Sequence, residues 1–267
     1  MLKDITLGQF FPGNTVIHRM DPRTKLLLVL FYIVALFCAK NYLTYGIMLV
    51  SLCAVVAISK IRPKVLLKSM KPLLFVICLT GFLNLFYTKG EPLVHFWIFT
   101  ITKQGVKSAI FMVLRIAMLV TGTFMLTYTT SPIALTDGLE RLLNPLKKIK
   151  FPVHELAMMM AIALRFVPTL IEETDKIMSA QKARGANFET GSLIERAKAL
   201  IPVLVPLFIS SFRRADELAV AMECRCYRGG DGRTRLKQLH YERIDVIALI
   251  CGIALTIAVI ILGIYGL

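Results

Sequence analysis

The sequence predicts an all-α polytopic membrane protein, with about five transmembrane helices and a cytoplasmic set of three long amphipathic helices. Three observations predict it. The chain of 267 residues is 56% hydrophobic with a mean hydropathy of +0.68, above what an ordinary soluble domain carries. It holds 32 Lys and Arg against 17 Asp and Glu, a bias that the cytoplasmic loops of membrane proteins accumulate. Apolar runs alternate with short polar loops until one long stretch, residues 129–243, turns amphipathic.

The expected spans are residues 26–39, 42–59, 72–87, 106–128 and 244–266. The first is short against the ~20 residues a span needs. With the second it reads as a tight helical hairpin turning at Lys40-Asn41. The loop at 60–71 holds Lys60, Arg62, Lys64, Lys68 and Lys71 and no acid, so it belongs inside. The N-terminus, with Arg19, Arg23 and Lys25 before the first span, is then cytoplasmic too. Counting spans puts residues 88–105 and the C-terminus outside. In that outer loop Phe96 and Trp97 fit either an interfacial anchor or ordinary packing. Arg115 lies inside the fourth span, where a charge is expensive and marks a functional-site candidate; snorkelling or a structural partner is the preferred reading. The chain thus divides into an N-terminal membrane domain at 1–128 with four spans, a cytoplasmic domain at 129–243 and a last span at 244–267.

The insert reads as three helices. Ser131-Pro132 is a helix start, and Leu135, Leu139, Leu142, Leu143 and Leu146 follow at three- and four-residue spacing. A second helix runs from Pro152 toward Gly185, with an expected kink at Pro168. The third opens on Ser192-Leu193-Ile194-Glu195, a capping box. Its stripe is Leu193, Ala197, Leu200, Leu204, Phe208, Ser211, Ala215, Leu218 and Met222, weakened early by Pro202 and Pro206. The run to Cys226 spans ~50 Å at 1.5 Å per residue, with Gly229-Gly230-Asp231-Gly232 as its terminator. Residues 156–170 and 199–212 are apolar enough to pass as spans in a coarse window. Each is shorter than ~18 apolar residues and continues as an amphipathic helix, so both are expected to pack against the membrane rather than cross it.

Composition also narrows function. A charge of +15 in a soluble chain suggests nucleic acid; here the loop bias explains it, and no nucleic-acid partner is expected. Cys38, Cys53, Cys78 and Cys251 lie in apolar runs, where Cys acts as a small hydrophobe. Cys224 and Cys226 lack the further ligands of a zinc site, so no metal is expected.

Two arginines remain: Arg184 in Ala183-Arg184-Gly185 and Arg225 in Cys224-Arg225-Cys226. Each stands near a helix C-terminus, where a cation is favoured by the last carbonyls and the helix dipole. Both also sit among small residues, which let another surface approach. A guanidinium presents a fork of donors suited to carboxylates and carbonyls. Two such tips suggest two receiving grooves, hence a dimeric or pseudo-dimeric partner.

Several segments carry a family resemblance. They are Pro12-Gly13-Asn14, the run from His18 through Asp21-Pro22-Arg23 to Lys25, Leu164-Arg165-Phe166-Val167-Pro168-Thr169-Leu170, and Gln181 to Gly185. Phe212-Arg213-Arg214-Ala215-Asp216-Glu217-Leu218-Ala219 and Ala221 to Gly229 complete the set. In this order and spacing the chain resembles the transmembrane T component of energy-coupling factor transporters (the EcfT family, CbiQ-like), a branch of ATP-binding-cassette importers. The resemblance implies that Arg184 and Arg225 centre the motifs ending two crossed coupling helices, which dock into paired ATPase subunits, a homo- or heterodimer. Cys224 stands where alanine is common and preserves small size; Arg228, beside Gly229, is the rival second centre and otherwise a support. The resemblance further implies a substrate-binding S component, for a vitamin or metal ion, seated on the third helix through Leu200, Leu204, Phe208, Ala215 and Ala219. It also implies location in the bacterial plasma membrane, multi-pass and in contact with lipid. This chain is then a non-catalytic subunit that binds no cofactor itself. It has no Walker A sequence, and ATP and Mg belong to its partners.

Two other classes fit the residues less well. Glu172-Glu173 resembles the paired glutamates of membrane-embedded CAAX-type proteases, but His18, His95, His154 and His240 fall outside the expected spans; the pair reads as a solvated helix face. A secondary transporter wants broken helices with polar residues at mid-membrane, and the spans offer little beyond Asn84 and Arg115.

Overall fold

The computed structural model describes residues 10–88, 92–96, 99–188, 190, 192–229 and 238–265. Their order is α1 (Val16–Arg19), α2 (Pro22–Cys38), α3 (Tyr42–Ser59), α4 (Pro63–Met70), a 3-10 turn, α5 (Leu74–Tyr87), α6 (Lys103–Thr129), α7 (Pro132–Leu143), a second 3-10 turn, α8 (Val153–Ala183), α9 (Leu193–Cys224) and α10 (Arg243–Tyr265). A short antiparallel hairpin of β1 (Pro92–Phe96) and β2 (Phe99–Thr102) precedes α6. The all-α membrane class holds. The expectations for Trp97, for the Phe96 side chain and for Gly230 to Gly232 fall outside the described residues.

Among the described residues, five helical segments are long and apolar enough to cross a membrane: α3, the segment Pro63–Tyr87 through α4 and α5, α6, α8 and α10. Four overlap expected spans, although the segment Pro63–Tyr87 begins nine residues before the expected start at 72 and takes in most of the basic stretch 60–71 expected as a loop. The two sets differ at α2 and α8. At 17 residues α2 reaches about 25 Å, short of the ~30 Å hydrocarbon layer. By length and composition α8 qualifies, but it has the lowest hydropathy of the five and carries Arg165, Glu172, Glu173, Asp175 and Lys176.

The described residues form two compact units, one of residues 10–139 with 239–265, the other of the described residues between 140 and 238. In the first, α2 packs on α10 and α6, and α5 packs along α6. The core gathers Leu36, Tyr45, Met48, Met118 and Val259, all at most 2% exposed. The turn at Lys40-Asn41 is present, since α2 stops at Cys38 and Asn41 with Thr44 caps α3 through a capping box, but the tight hairpin expected there is not formed: α2 packs on α10 and α6 rather than along α3. Arg115 proves to have structural partners. Its Nε donates to the Tyr45 hydroxyl at 2.8 Å and its Nη2 to the Ala39 carbonyl at 3.1 Å, so it caps the C-terminus of α2.

One tie in this unit went unread in the sequence. The Asp21 side chain caps α2 and accepts both forks of Arg23, at 3.0 and 2.7 Å. The Asp21 backbone N–H donates to buried Asp245 at 2.9 Å, and Asp245 also accepts from the Glu242 N–H at the start of α10. Two helix N-termini, far apart in the chain, thus share one carboxylate. Beside them Lys25 donates to the carbonyls of His18 and Thr129; burial pushes its ammonium down to about 8 against the pull of Asp245 and Asp21.

Candidate functional site

In the second unit α8 and α9 form an antiparallel pair. Gln181 donates to the Pro202 carbonyl at 3.4 Å, Glu173 meets Ser210 and Arg214, and the Phe166 ring lies 5.9 Å from the Arg214 guanidinium. Residue numbers therefore fall along one helix as they rise along the other. Arg214 and Glu173 close to 2.9 Å, and Arg214 Nη1 is buried with no hydrogen-bond partner among the described residues. Two of the resembling segments, around Phe166 and around Arg214, thus meet at this crossing.

The local signals for these helices hold. Ser192 Oγ accepts from the Glu195 N–H at 3.4 Å while the Glu195 carboxylate accepts from the Ser192 N–H at 2.9 Å. Ser131 caps α7 by accepting from the Ala134 N–H. Pro168, Pro202 and Pro206 all stand within unbroken helices. A proline removes only one rung of the ladder, and packing along the pair holds the rest.

Both helices end in the same motif. At the end of α8, Arg184 is the C-cap; Gly185 N–H returns to the Lys182 carbonyl and Ala186 N–H to that of Gln181, each at 3.0 Å. At the end of α9, Arg225 is the C-cap; Cys226 N–H returns to Glu223 at 2.8 Å and Tyr227 N–H to Met222 at 3.0 Å. These are two Schellman motifs, with the left-handed position filled by Gly185 (φ 89) and by Cys226 (φ 56). The third helix therefore stops at Cys224, ahead of the glycine run expected to end it. The left-handed turn at Cys226 stops it first. Arg184, Arg225 and Arg228 are all exposed, as are Ala183, Gly185, Cys224 and Cys226. Extending the antiparallel register at 1.5 Å per residue sets the two arginine tips roughly 35 Å apart along the pair.

The apolar surface of α9 divides into two faces. The residues turned to α8 are Ser210 and Arg214, with Val203 buried at 3% and Leu207 half-buried on the same stripe. The expected stripe lies beside that one. The expected seat residues Leu200, Leu204, Phe208, Ala215 and Ala219 are exposed, with Phe208 at 61%. The glutamate pair also divides: Glu172 is exposed, but Glu173 is held by α9 and is no solvated face.

Comparison with known proteins fits this geometry. A family model described as cobalt transport protein (CbiQ) matches residues 13–236. The energy-coupling factor transporter transmembrane protein EcfT of Acidaminococcus fermentans is 53% identical over 96% of this chain and 95% of its own. The chain belongs to the EcfT family. The EcfT proteins of Brevibacillus brevis and Bacillus subtilis are 50% and 44% identical, over 97% and 96% of this chain and 98% and 97% of their own. A transmembrane component of an energy-coupling factor transporter is thereby established, and with it a multi-pass membrane protein. Arg184 and Arg225 hold one structural position at two helix ends of this EcfT chain.

Proposed function

We propose that this chain is the T subunit of an energy-coupling factor importer, converting motion of two ATPase subunits into movement of an S component that carries a vitamin or metal ion. The observation that carries the reading is the pair of exposed arginine C-caps on α8 and α9. Each tip offers a charged fork with little bulk around it. At roughly 35 Å apart along the pair, one groove cannot receive both, and two ATPase subunits can. Closure of the ATPases on ATP would move the tips, and the antiparallel pair would carry that motion to the seat on α9. The chain itself catalyses nothing and holds no nucleotide; ATP and Mg stay with the partners. In this reading α8 lies along the cytoplasmic face of the cell membrane, and the N-terminus is inside.

The exposed stripe through Leu200, Leu204, Phe208, Ala215 and Ala219 is the proposed seat. Its exposed residues flank the stripe used to pack on α8, so an S component can bind without displacing the pair. The protease alternative weakens further, since His154 bonds Glu140 at 3.0 Å and stands about 28 Å along α8 from Glu173.

Co-purification tests the assignment. Capture of this chain from membranes is expected to bring two ATPase subunits and an S component. Leu204→Lys or Phe208→Lys is expected to reduce S-component recovery while the ATPases remain, because an unpaired buried charge is costly. Recovery of the S component with loss of the ATPases would place the seat on another helix.

A further inference from the structure

The second unit joins the first by two stretches of chain, one leaving α6 through α7 and the other returning at Leu239 to α10. Within the first unit, both are held by the few residues that start α2. Lys25 Nζ takes the departing stretch where α6 ends, donating to the Thr129 carbonyl at 2.9 Å and to the Thr130 hydroxyl at 3.3 Å. Its third donor goes to the His18 carbonyl at 3.2 Å. Gly138 then brings α7 against the same residues: a Cβ there would stand 2.9 Å from the Pro22 Cβ and 3.3 Å from the Arg23 nitrogen. Arg23 takes the returning stretch. Its Nη2 donates to the Leu239 carbonyl at 3.1 Å, and its guanidinium lies 4.0 Å from the centre of the Tyr241 ring. Asp245 accepts from the N–H groups of Asp21 and Glu242, each at 2.9 Å. Asp21, Lys25 and Asp245 are all buried.

We propose that Asp21, Arg23, Lys25 and Asp245 are a clamp that fixes both connections to one point of the first unit, so that displacement of α8 and α9 moves the spans instead of being absorbed by the connecting chain. The proposal rests on the importer reading above. Connectivity alone does not do this work. The fourteen residues 225–238 reach about 46 Å when extended, so chain length leaves the point of return open. The bonds at Leu239, Tyr241 and Glu242 set it. The chemistry suits the task. Apolar packing is non-directional and lets elements slide, whereas about 1 Å of slip takes a 2.9 Å hydrogen bond out of range. A buried charge cluster stabilises weakly for its desolvation cost, and fixed geometry is what it supplies best. The four side chains are positioning residues, acting through the two connections.

Uptake and ATP hydrolysis, measured separately on the whole transporter in proteoliposomes, test it. Lys25→Met releases the departing connection. Arg23→Lys keeps a charge for Asp21 but gives up the planar fork that reaches Leu239 and stacks on Tyr241. Each is expected to hydrolyse ATP near the wild-type rate while uptake per ATP falls about fivefold or more. Arg19→Gln, at an exposed cation just ahead of the clamp, is expected to keep the wild-type ratio. Hydrogen exchange on the same chains reads the clamp itself: the N–H groups of Asp21 and Glu242 are expected to exchange faster in both clamp variants, and those of α3 at the wild-type rate. Should Lys25→Met fail to assemble, Arg23→Lys decides. A wild-type ratio in an assembled clamp variant would overturn the proposal. So would uptake and hydrolysis falling together, the mark of a merely structural loss, or a ratio that falls equally in Arg19→Gln. A wild-type transporter whose hydrolysis drives no uptake would refute the importer reading itself, and the proposal with it.

Discussion

Arg184 and Arg225 are structural equivalents: each is the C-cap of a Schellman motif, at φ −84, ψ 4 and φ −91, ψ 14. Arg228 lies beyond the second motif, after its closing hydrogen bonds at Cys226 and Tyr227. The equivalence selects Arg225 over Arg228 as the partner of Arg184. It also separates side chain from backbone, because the bonds that end each helix are all made by main-chain groups. Among the described residues, neither guanidinium takes part in those bonds.

The two motifs differ in the residue that takes the left-handed turn, and this gives a stability prediction. A side chain at Gly185 meets nothing within 4 Å, so the cost of Gly185→Ala is conformational. It is expected to destabilise the end of α8 by about 1–2 kcal/mol. Cys226→Gly relieves the same strain at φ 56 and is expected to stabilise the end of α9 by about 1 kcal/mol. Thermal unfolding in detergent should show shifts of opposite sign; shifts of the same sign would reject this account of the caps.

The crossing of α8 and α9 supplies a second. Glu173→Ala leaves Arg214 half-buried with neither its carboxylate nor a partner for Nη1. A loss of about 1–2 kcal/mol is expected, as for other hydrogen bonds to charged groups. Arg214→Met in the Glu173→Ala background should recover part of it, since the charge is then gone. A double-mutant cycle reads the coupling, and purely additive losses would show that the pair does not act together.

Much of this was legible locally. Ser192 with Glu195, Ser131 and Gly185 mark helix ends through contacts three or four residues long, and these were read correctly. The packing face of α9 was not legible because the helix is apolar on more than one side. Periodicity finds Leu204 and Phe208 as readily as Val203 and Leu207, and only the position of Glu173 on α8 decides between them. Cys226 as a left-handed residue was hidden for a different reason: the local signal for such a turn is glycine, and the next glycine is Gly229. The tie between Asp21 and Asp245 joins the two ends of the chain, beyond any local pattern. Charged residues just ahead of a span look like loop bias whether or not they are bonded.

Topology can be probed at one position. Asn187 is exposed just past the end of α8. Asn187→Cys in a background lacking the native cysteines is expected to react only from the cytoplasmic side. Labelling of intact cells by an impermeant thiol reagent would mean that α8 crosses the membrane, as its length permits.

Uptake per ATP hydrolysed, measured in proteoliposomes of the whole transporter, tests the coupling role most directly. Arg184→Glu or Arg225→Glu alone is expected to reduce uptake, and the two together to abolish it. Changing these side chains alters helix-end stability by no more than about 1 kcal/mol, so the protein should still insert and purify. Arg228→Ala should have the smaller effect. Full uptake with Arg184 and Arg225 both replaced, or a silent Arg225→Ala beside a disabling Arg228→Ala, would contradict the assignment of these two caps as the coupling tips.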